Sequence, residues 1–396
     1  MHHIYADWAA TAPLHPAAIE AIQHWLTHPA PANPSSLHAY GTNAADLLYD
    51  ARQTIAHAFH REEGQLIFTS GGTEGDGIAI WSLLQRYKGT HRRRILLSPL
   101  EHPAVREAVY TFAPPMGYTV EECRVTPAGT VDQADFAARL GEDVAFAAVL
   151  AVQNETGVIQ PIDELAAMTH DCGGAFFSDC VQAAGHIPLS KGPDILTLSG
   201  HKFGAPTGTG VLFAQPDTPL FPLLKGGGQE FGIRGGTENS MGICAMAAAA
   251  KAVTTTGEPH WMAPTRDRLE AQLLKETAAH GLPLTIAGRS TDRIGSTSCI
   301  VLGNTNDIPV SAMPVSGIPE GENVVLSCDM AGLAVSAGSA CHSGERAPSP
   351  TLLAMGYTPA AAIRQIRLSF GWSTTAAEME QAFAIFTHTL LRQWQL

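Results

Sequence analysis

The sequence predicts an α/β protein with a large domain, built on a mainly parallel sheet covered by helices, and a smaller α+β domain. Between residues 66 and 213, apolar runs of strand length alternate with helical segments. Parallel strands need crossover connections, and the connecting helices cover both faces of the sheet. The chain has 396 residues, of which 45% are hydrophobic and 15% are charged. It is therefore long enough for two domains of ordinary globular composition.

The predicted elements follow one another without a tandem repeat. The predicted strands of the large domain span residues 66–69, 95–98, 146–151, 175–178, 195–198 and 210–213. The predicted helices span residues 16–25, 43–60, 74–86, 103–111, 133–140, 163–172 and 241–250, and Asn43 is expected to cap the second helix. A helix over 264–280, short strands and a final helix over 375–394 predict the smaller domain. We expect the large domain at 15–256, and the small domain at 1–14 together with 257–396.

Composition and charge exclude several classes of protein. The net charge of -13 argues against a direct nucleic-acid partner, because such binding depends on basic side chains that neutralise the phosphates. The first residues lack a signal peptide and the longest apolar stretch is too short to cross a bilayer, so a cytoplasmic protein without a membrane partner is expected. Seven cysteines without a C-x-x-C pair favour reduced thiols. No metal site is predicted, because the pair His24 and His28 lacks a third ligand.

A lysine follows one of the predicted buried strands. Lys202 comes after the strand 195–198 through the turn Ser199-Gly200-His201. In open α/β sheets, ligands bind at the carboxyl ends of the strands. A lysine in such a cleft loses hydration, so its neutral amine is more populated and can form a Schiff base with a carbonyl compound. The alternative is a solvated loop lysine, which is the commoner case.

Polar residues also follow the other predicted strands. The segment Thr69-Ser70-Gly71-Gly72-Thr73-Glu74 joins a strand to a helix, and its amides and hydroxyls could cradle a phosphate. It contains neither a P-loop nor a dinucleotide-binding motif, and a simple turn is the alternative. Glu101-His102 follows the strand 95–98, and His102 could stack on a ligand, transfer a proton or be structural. Gln153-Asn154-Glu155-Thr156-Gly157 follows the strand 146–151.

An aspartate ends the predicted strand 175–178. Asp179 could cap a helix. In a pyridoxal phosphate site, however, an aspartate facing the pyridine nitrogen keeps that nitrogen protonated and the ring an electron sink. A phosphate cradle, an aspartate, a histidine and a lysine at strand ends of one sheet are the parts that a pyridoxal phosphate enzyme needs.

With these residues in order, the chain resembles the cysteine desulfurases of the NifS/IscS type, in the class V aminotransferase group of fold-type I pyridoxal phosphate enzymes. The resemblance spans nearly the whole chain. Besides the segments above, its motifs are Asp7-Trp8-Ala9-Ala10-Thr11, Asn33-Pro34-Ser35-Ser36-Leu37-His38, Asp179 with Gln182, Gly226-Gly227-Gly228-Gln229-Glu230, Arg234-Gly235-Gly236-Thr237-Glu238-Asn239, Gly338-Ser339-Ala340-Cys341-His342-Ser343-Gly344 and Ile366-Arg367-Leu368-Ser369. Trp8, Gly77 and Cys180 depart from the family's usual asparagine, asparagine and alanine.

The resemblance implies a role for each cofactor-binding residue. Lys202 would form the Schiff base, Asp179 would face the pyridine nitrogen, Gln182 would contact the ring hydroxyl and His102 would stack on the ring. Asn154 would contact the cofactor and also the substrate carboxylate. The residues implied at the phosphate are Gly72, Thr73, Ser199 and His201, joined by Thr237 from the other subunit of a homodimer.

The resemblance also implies the reaction. Asn154 and Arg367 would bind the carboxylate of L-cysteine, for which a guanidinium fork is suited. Lys202 would move the α-proton, His102 would accept the thiol proton, and Cys341 would attack the substrate sulfur. The products would be L-alanine and a persulfide on Cys341, passed on to an acceptor protein for iron-sulfur assembly or thiolation. A selenocysteine lyase, another lyase or aminotransferase of the same fold, and an inert sulfur-relay subunit are the alternatives.

Overall fold

A computed structural model of the protein describes residues 3–27, 32–61, 66–303, 318–337 and 347–394. The strands are β1 (Ile4–Tyr5), β2 (Leu66–Thr69), β3 (Arg94–Leu97), β4 (Thr119–Glu122), β5 (Val144–Ala148), β6 (Ala175–Asp179), β7 (Ile195–Ser199), β8 (Gly210–Ala214), β9 (Leu284–Ile286), β10 (Thr297–Leu302), β11 (Leu333–Ala334) and β12 (Gln365–Ser369). The helices are α1 (Pro16–Thr27), α2 (Ala39–Ala58), α3 (Gly72–Arg86), α4 (Pro103–Phe112), α5 (Gln133–Arg139), α6 (Ile162–Asp171), α7 (Ser240–Thr256), α8 (Met262–Ala279), α9 (Gly321–Met330), α10 (Pro350–Ala354), α11 (Pro359–Ala362) and α12 (Ala376–Trp394). None of the helices in these ranges has the length and apolarity needed to cross a membrane.

The large sheet has seven strands in the order β2-β8-β7-β6-β5-β3-β4. The pairs from β7 through β6, β5 and β3 to β4 are parallel, whereas β8 is antiparallel to both β2 and β7. The predicted α/β fold with a mainly parallel sheet is therefore confirmed. Because only β8 is reversed, the carboxyl ends of the other six strands lie at the same edge of the sheet.

Consecutive residues of the central strands pack on opposite faces of this sheet, as the two-residue period of a strand requires. In β6, Phe176 packs in a core on one face with residues of α2, α6 and α7, and Phe177 packs on the other face with residues of α3 and α4. This double burial explains why the central strands appear in the sequence as continuous apolar runs.

A second core lies outside the large sheet. It combines Ile4 and Ala6 with residues of α8, α9, α12 and the antiparallel sheet β12-β10-β9. The two ends of the chain thus share one core. The domain boundaries given above stay a prediction.

The start of one helix was predicted wrongly. Helix α2 begins at Ala39, four residues before the expected Asn43, and His38 is its N-cap. The backbone amide of Gly41 donates to Nδ1 of His38 at 3.2 Å. Histidine is not among the residues that are commonly preferred at a helix N-cap, so the sequence did not indicate this cap. Strand β4 was also not predicted, because its partly exposed sequence Thr-Val-Glu-Glu lacks an apolar run.

A buried ion pair joins α8 to the segment that precedes β10. The guanidinium of Arg293 donates to both carboxylate oxygens of Glu270, at 3.0 and 2.8 Å, and the two side chains are 1% and 0% exposed. The Ser298 hydroxyl also donates to Glu270 at 2.8 Å. Arg293 forms a backbone bridge with Val158, so the pair also supports a contact with the large domain.

We predict that Glu270→Gln lowers the free energy of unfolding by about 3 kcal/mol, because the buried charge of Arg293 then keeps only the exposed carboxylate of Asp267, 3.6 Å away, as an acidic partner. Chemical denaturation monitored by circular dichroism measures the change. The matched control is Glu380→Gln, which removes the exposed partner of Arg268 and should change stability by less than about 1 kcal/mol. Equal effects of the two substitutions would contradict the prediction.

Candidate active site

A cavity of about 310 Å³, partly open to solvent, lies at the edge where the strand ends meet. It is lined by ten of the residues predicted from the sequence, namely Gly72, Thr73, His102, Asn154, Asp179, Gln182, Ser199, His201, Lys202 and Arg367. These residues come from five strand ends of the large sheet and from β12 of the smaller sheet. Residues that are far apart in the sequence therefore face one space.

Lys202 reaches into this cavity from the turn after β7. Its Nζ atom donates hydrogen bonds to the backbone oxygens of Ala9 and Ala10, at 2.7 and 2.9 Å. The side-chain amide of Gln182 donates to the same Ala9 oxygen at 2.9 Å. Lys202 is thus held by the N-terminal segment and is not the solvated loop lysine of the alternative interpretation.

Asp179 lies at the end of β6 and is only 7% exposed. Burial raises the pKa of its carboxyl, while the nearby His102 and Lys202 lower it. The backbone amide of Val181 donates to Oδ1 at 2.8 Å. Asp179 is therefore a buried acid that two basic side chains of the same cavity help to ionise.

His102 caps α4 and faces the cavity. Its Nδ1 atom accepts a hydrogen bond from the backbone amide of Ala104 at 3.1 Å. In the neutral ring the proton therefore lies on Nε2. Burial, partly offset by Asp179, lowers the pKa of His102 and so favours this neutral form.

The residues predicted to bind a phosphate lie at the N-terminus of α3 and at the end of β7. Helix α3 begins at Gly72, and Thr73 and Ser199 supply hydroxyl groups at the cavity wall. His201 shares a hydrogen bond of 3.1 Å between its Nδ1 atom and Oγ1 of Thr11. Burial and the adjacent Lys202 lower the pKa of His201 to about 4, so the ring is neutral at physiological pH.

Arg367 has a fixed orientation on β12. Its side chain is 4% exposed, and it donates to Oδ1 of Asp7 and to the backbone oxygen of Asn154, both at 2.8 Å. Its buried Nε atom has no hydrogen-bond partner among the described residues. The guanidinium is thus a rigid cation at the cavity wall, suited to a carboxylate ligand.

The donor set fits pyridoxal phosphate. A lysine amine can react with its aldehyde, a buried carboxyl can pair with its ring nitrogen, and a helix N-terminus with hydroxyl groups can bind its phosphate. All three kinds of group face the same cavity, in Lys202, Asp179 and the start of α3.

One predicted site residue does not line this cavity, and another lies outside the described residues. Thr237 is exposed and does not line the cavity of its own chain. Its contribution from a second subunit stays a prediction. Cys341 lies outside the described residues.

Sequence reasoning missed Asp76 and the backbone oxygens of Ala9 and Ala10. Asp76 is three residues after Thr73 and therefore lies on the same face of α3. This spacing was the available signal. Backbone oxygens leave no such signal, because every residue has one.

The three departures from the family pattern lie at or near the site. Trp8 is buried and packs edge-to-face on Trp372, with ring centroids 5.5 Å apart. Cys180 is buried, and burial raises the pKa of its thiol to about 12, so it is a poor nucleophile. Gly77 is buried, and a Cβ atom there would lie 3.3 Å from Leu223.

Comparison with known proteins agrees with this geometry. The model of the family described as aminotransferase class-V matches residues 4–382, and the chain belongs to that family. Its curated relatives narrow the class to the cysteine desulfurases. The chain is 36% identical over 389 residues to a cysteine desulfurase of Cereibacter sphaeroides, covering 97% of this chain and 95% of the relative. It is 34% identical over 387 residues to the cysteine desulfurase NifS of Azotobacter vinelandii, covering 96% and 91%.

Solved structures show the same fold. A NifS-like protein aligns with a TM-score of 0.83 at 24% sequence identity, covering 98% of this chain and 99% of the other. A NifS-like protein from Rickettsia africae aligns over the full length of both chains, with a TM-score of 0.80 and 25% identity. The predicted resemblance to this family is confirmed.

Gly210 lies where the strand ends are closest. It is paired with Thr69 of β2 on one side and with Ser199 of β7 on the other. A Cβ atom at Gly210 would lie 2.6 Å from Cα of Gly71 and 2.7 Å from Oγ1 of Thr69. Only glycine therefore leaves the backbone before α3 in place.

We predict that Gly210→Ala weakens the binding of pyridoxal phosphate about tenfold or more, because the backbone of the phosphate cradle must move. Titration of the apoprotein, followed by visible absorbance, measures the affinity. Gly208→Ala is the control, since a Cβ atom there meets nothing within 4 Å although φ is +79°. It should lower the melting temperature slightly and leave the affinity unchanged. Unchanged affinity in Gly210→Ala would contradict the prediction.

Proposed function

We propose that this chain converts L-cysteine to L-alanine and transfers the sulfur to Cys341 as a persulfide. The observation that supports this most strongly is that Lys202 and the buried Asp179 face one cavity, in a chain related over its full length to cysteine desulfurases. A thiolate of Cys341 would form an S–S bond to the substrate sulfur while the C–S bond breaks. The electron pair of the C–S bond stays on carbon, which takes up a proton to give alanine.

The residues of the cavity have separate tasks in this reaction. When bound, pyridoxal phosphate would supply an electron sink for the charge that develops at the substrate's α-carbon. Lys202, Asp179, Gln182 and His102 would hold it. Nζ of Lys202 would take the α-proton and return it, since a half-buried lysine amine can act as a base.

Arg367 and Asn154 would position the substrate. The Arg367 guanidinium is already fixed by Asp7 and by the backbone of Asn154, so little conformational entropy is lost when it binds a carboxylate. A carboxylate held there leaves the rest of the amino acid in the cavity with Lys202. Arg367 thus sets the orientation of the substrate.

Both described ends of the segment that contains Cys341 lie beside this substrate site. Ser336 forms a backbone bridge with Arg367. Ser349 donates to the buried carboxylate of Glu155, next to Asn154, at 2.6 Å. Cys341 is five residues after Ser336, and five residues span at most about 18 Å. The chain length therefore allows the thiol to reach the cavity.

The other cysteines are poor candidates for the nucleophile. Burial raises the pKa of Cys123, Cys180 and Cys328 to about 12 and that of Cys244 to about 11, and it also raises the pKa of Cys299. A protonated, buried thiol is unreactive. The half-buried Cys172 follows α6, at the opposite end of β6 from Asp179. These positions favour Cys341.

The proposal also includes a homodimer, a sulfur-acceptor protein as partner, and a cytoplasmic location for the protein. Two exposed apolar side chains, Leu224 and Phe231, precede the loop that contains Thr237. Exposed apolar surface of this kind is typical of a protein interface. A second subunit on this surface would be placed to contribute Thr237, and the acceptor protein would take the sulfur from Cys341.

We predict that Cys341→Ala lowers alanine formation from L-cysteine by at least about 100-fold, because the acceptor of the sulfur is lost. Cys172→Ala is the control and should retain activity. Alanine release is measured by chromatography, and the persulfide by mass spectrometry of the intact protein.

Undiminished alanine formation in Cys341→Ala would instead favour a lyase that does not use this thiol. The visible absorbance of bound pyridoxal phosphate, and its loss in Lys202→Ala, test the alternative of an inert sulfur-relay subunit. A wild-type protein that binds no cofactor would support that alternative.

We predict that Arg367→Lys raises KM for L-cysteine about 10-fold to 100-fold, since a bidentate, charge-assisted contact is replaced by a single point charge. The affinity for pyridoxal phosphate should stay unchanged. Arg364→Lys, just before β12, is the matched control and should leave KM unchanged. A normal KM in Arg367→Lys would show that the carboxylate binds elsewhere.

A further inference from the structure

Asp76 is a second buried acid in the cavity that contains Asp179. It lies in the second turn of α3 and is 1% exposed. Oγ1 of Thr197 donates to Oδ1 of Asp76 at 2.6 Å. Thr197 in β7 is the register partner of Asp179 in β6, so the side chains of these two residues lie on the same face of the sheet. Asp76 and Asp179 both line the cavity, and the buried Thr197 lies behind them as the hydrogen-bond donor to Asp76 and the register partner of Asp179.

The charges around Asp76 differ from those around Asp179. His102 and Lys202 favour the ionised form of Asp179. The titratable groups that interact with Asp76 include two acids, Asp179 from β6 and Glu101 from the loop after β3, and the buried thiol of Cys180 just after β6. Burial and these two acids raise the pKa of Asp76, and only its hydrogen bond with Thr197 opposes them.

Glu101 is also a buried acid. It accepts a hydrogen bond from the backbone amide of Leu150 at 2.6 Å, and burial raises its pKa well above the usual range. Arg106 of α4 acts on Glu101. The neighbouring strands β2 and β8 have no titratable side chain. The basic groups of the cavity therefore favour one ionised acid, and that acid is Asp179.

We propose that Asp76 is a positioning residue of the cofactor site. Its side chain stays protonated and holds the Thr197 hydroxyl. Asp179 is then the single carboxylate that faces the ligand. A charged Asp76 would place two like charges in one buried space, which is unfavourable. A missing Asp76 would leave the buried Thr197 hydroxyl without its partner. This inference rests on the proposed use of pyridoxal phosphate, but not on the identity of the substrate.

The first test compares Asp76→Asn with Asp76→Ala. Asparagine is neutral and has nearly the same shape as a protonated aspartate, so Asp76→Asn should bind pyridoxal phosphate within about threefold of wild type. Asp76→Ala should bind it at least about tenfold more weakly, because the hydrogen bond to Thr197 is lost. If Asp76→Asn is as weak as Asp76→Ala, a charge is needed and the proposal is wrong. If neither variant changes the affinity, Asp76 does not position the site and the proposal is also wrong.

The second test measures the protonation of Asp76 in the protein without its cofactor. A carboxyl whose pKa is raised by folding stabilises the protein fully below its unfolded pKa, near 4, and loses that contribution as the pH rises towards its folded pKa. The melting temperature of the Asp76→Asn apoprotein minus that of wild type should therefore be about 2–4 °C higher at pH 8 than at pH 5. This increase is called the gain. Asp46→Asn, an exposed aspartate of α2, is the control and should show equal differences at both pH values.

The gain of Asp76→Asn should be smaller but still present in an Asp179→Asn background, because the repelling charge of Asp179 is then absent while burial still raises the pKa of Asp76. A difference in melting temperature that does not change with pH would mean that Asp76 is ionised, and it would overturn the proposal. A wild-type protein that binds no pyridoxal phosphate would contradict the proposed function, while the melting experiment on the apoprotein would still decide the protonation of Asp76.

Discussion

The burial of Asp179 at the end of a central strand is the constraint on which the site depends. A carboxylate with 7% exposure needs compensating partners. These partners lie in the loops that follow strands of the large sheet. They are His102 after β3, Lys202 after β7 and the backbone amide of Val181 after β6. The parallel order of the strands brings these partners to one edge, so the topology of the sheet is what makes the buried charge tolerable.

The N-terminal segment ties the two cores together at this edge. Asp7 pairs with Arg367 of the smaller sheet, the backbone oxygen of Ala9 accepts from Lys202, and Thr11 bonds to His201. A short stretch of chain thus contacts the cation that would bind the substrate, the amine that would form the Schiff base, and a residue of the predicted phosphate cradle. Its polar contacts hold these groups in place at the cavity.

Most of the large sheet and most of the cavity could be predicted from the sequence, because the information is local. Asp179, His102 and Lys202 each follow an apolar run, and in a parallel sheet the ends of such runs meet. The cap of α2 by His38 and the acid at Asp76 could not be predicted in this way. A helical aspartate is usually solvated, and only the packing of α3 on β7 shows that Asp76 is buried against Thr197.

Cofactor binding and sulfur transfer depend on different parts of the chain, and Arg367 connects them. Its side chain faces the cavity, while its backbone pairs with Ser336, which precedes Cys341 by five residues. The residue that would fix the substrate carboxylate therefore also fixes Ser336, which precedes the segment that contains Cys341. Because β12 is held in the smaller sheet by β10, the distance from the proposed carboxylate site to Ser336 is set by the geometry of the strands.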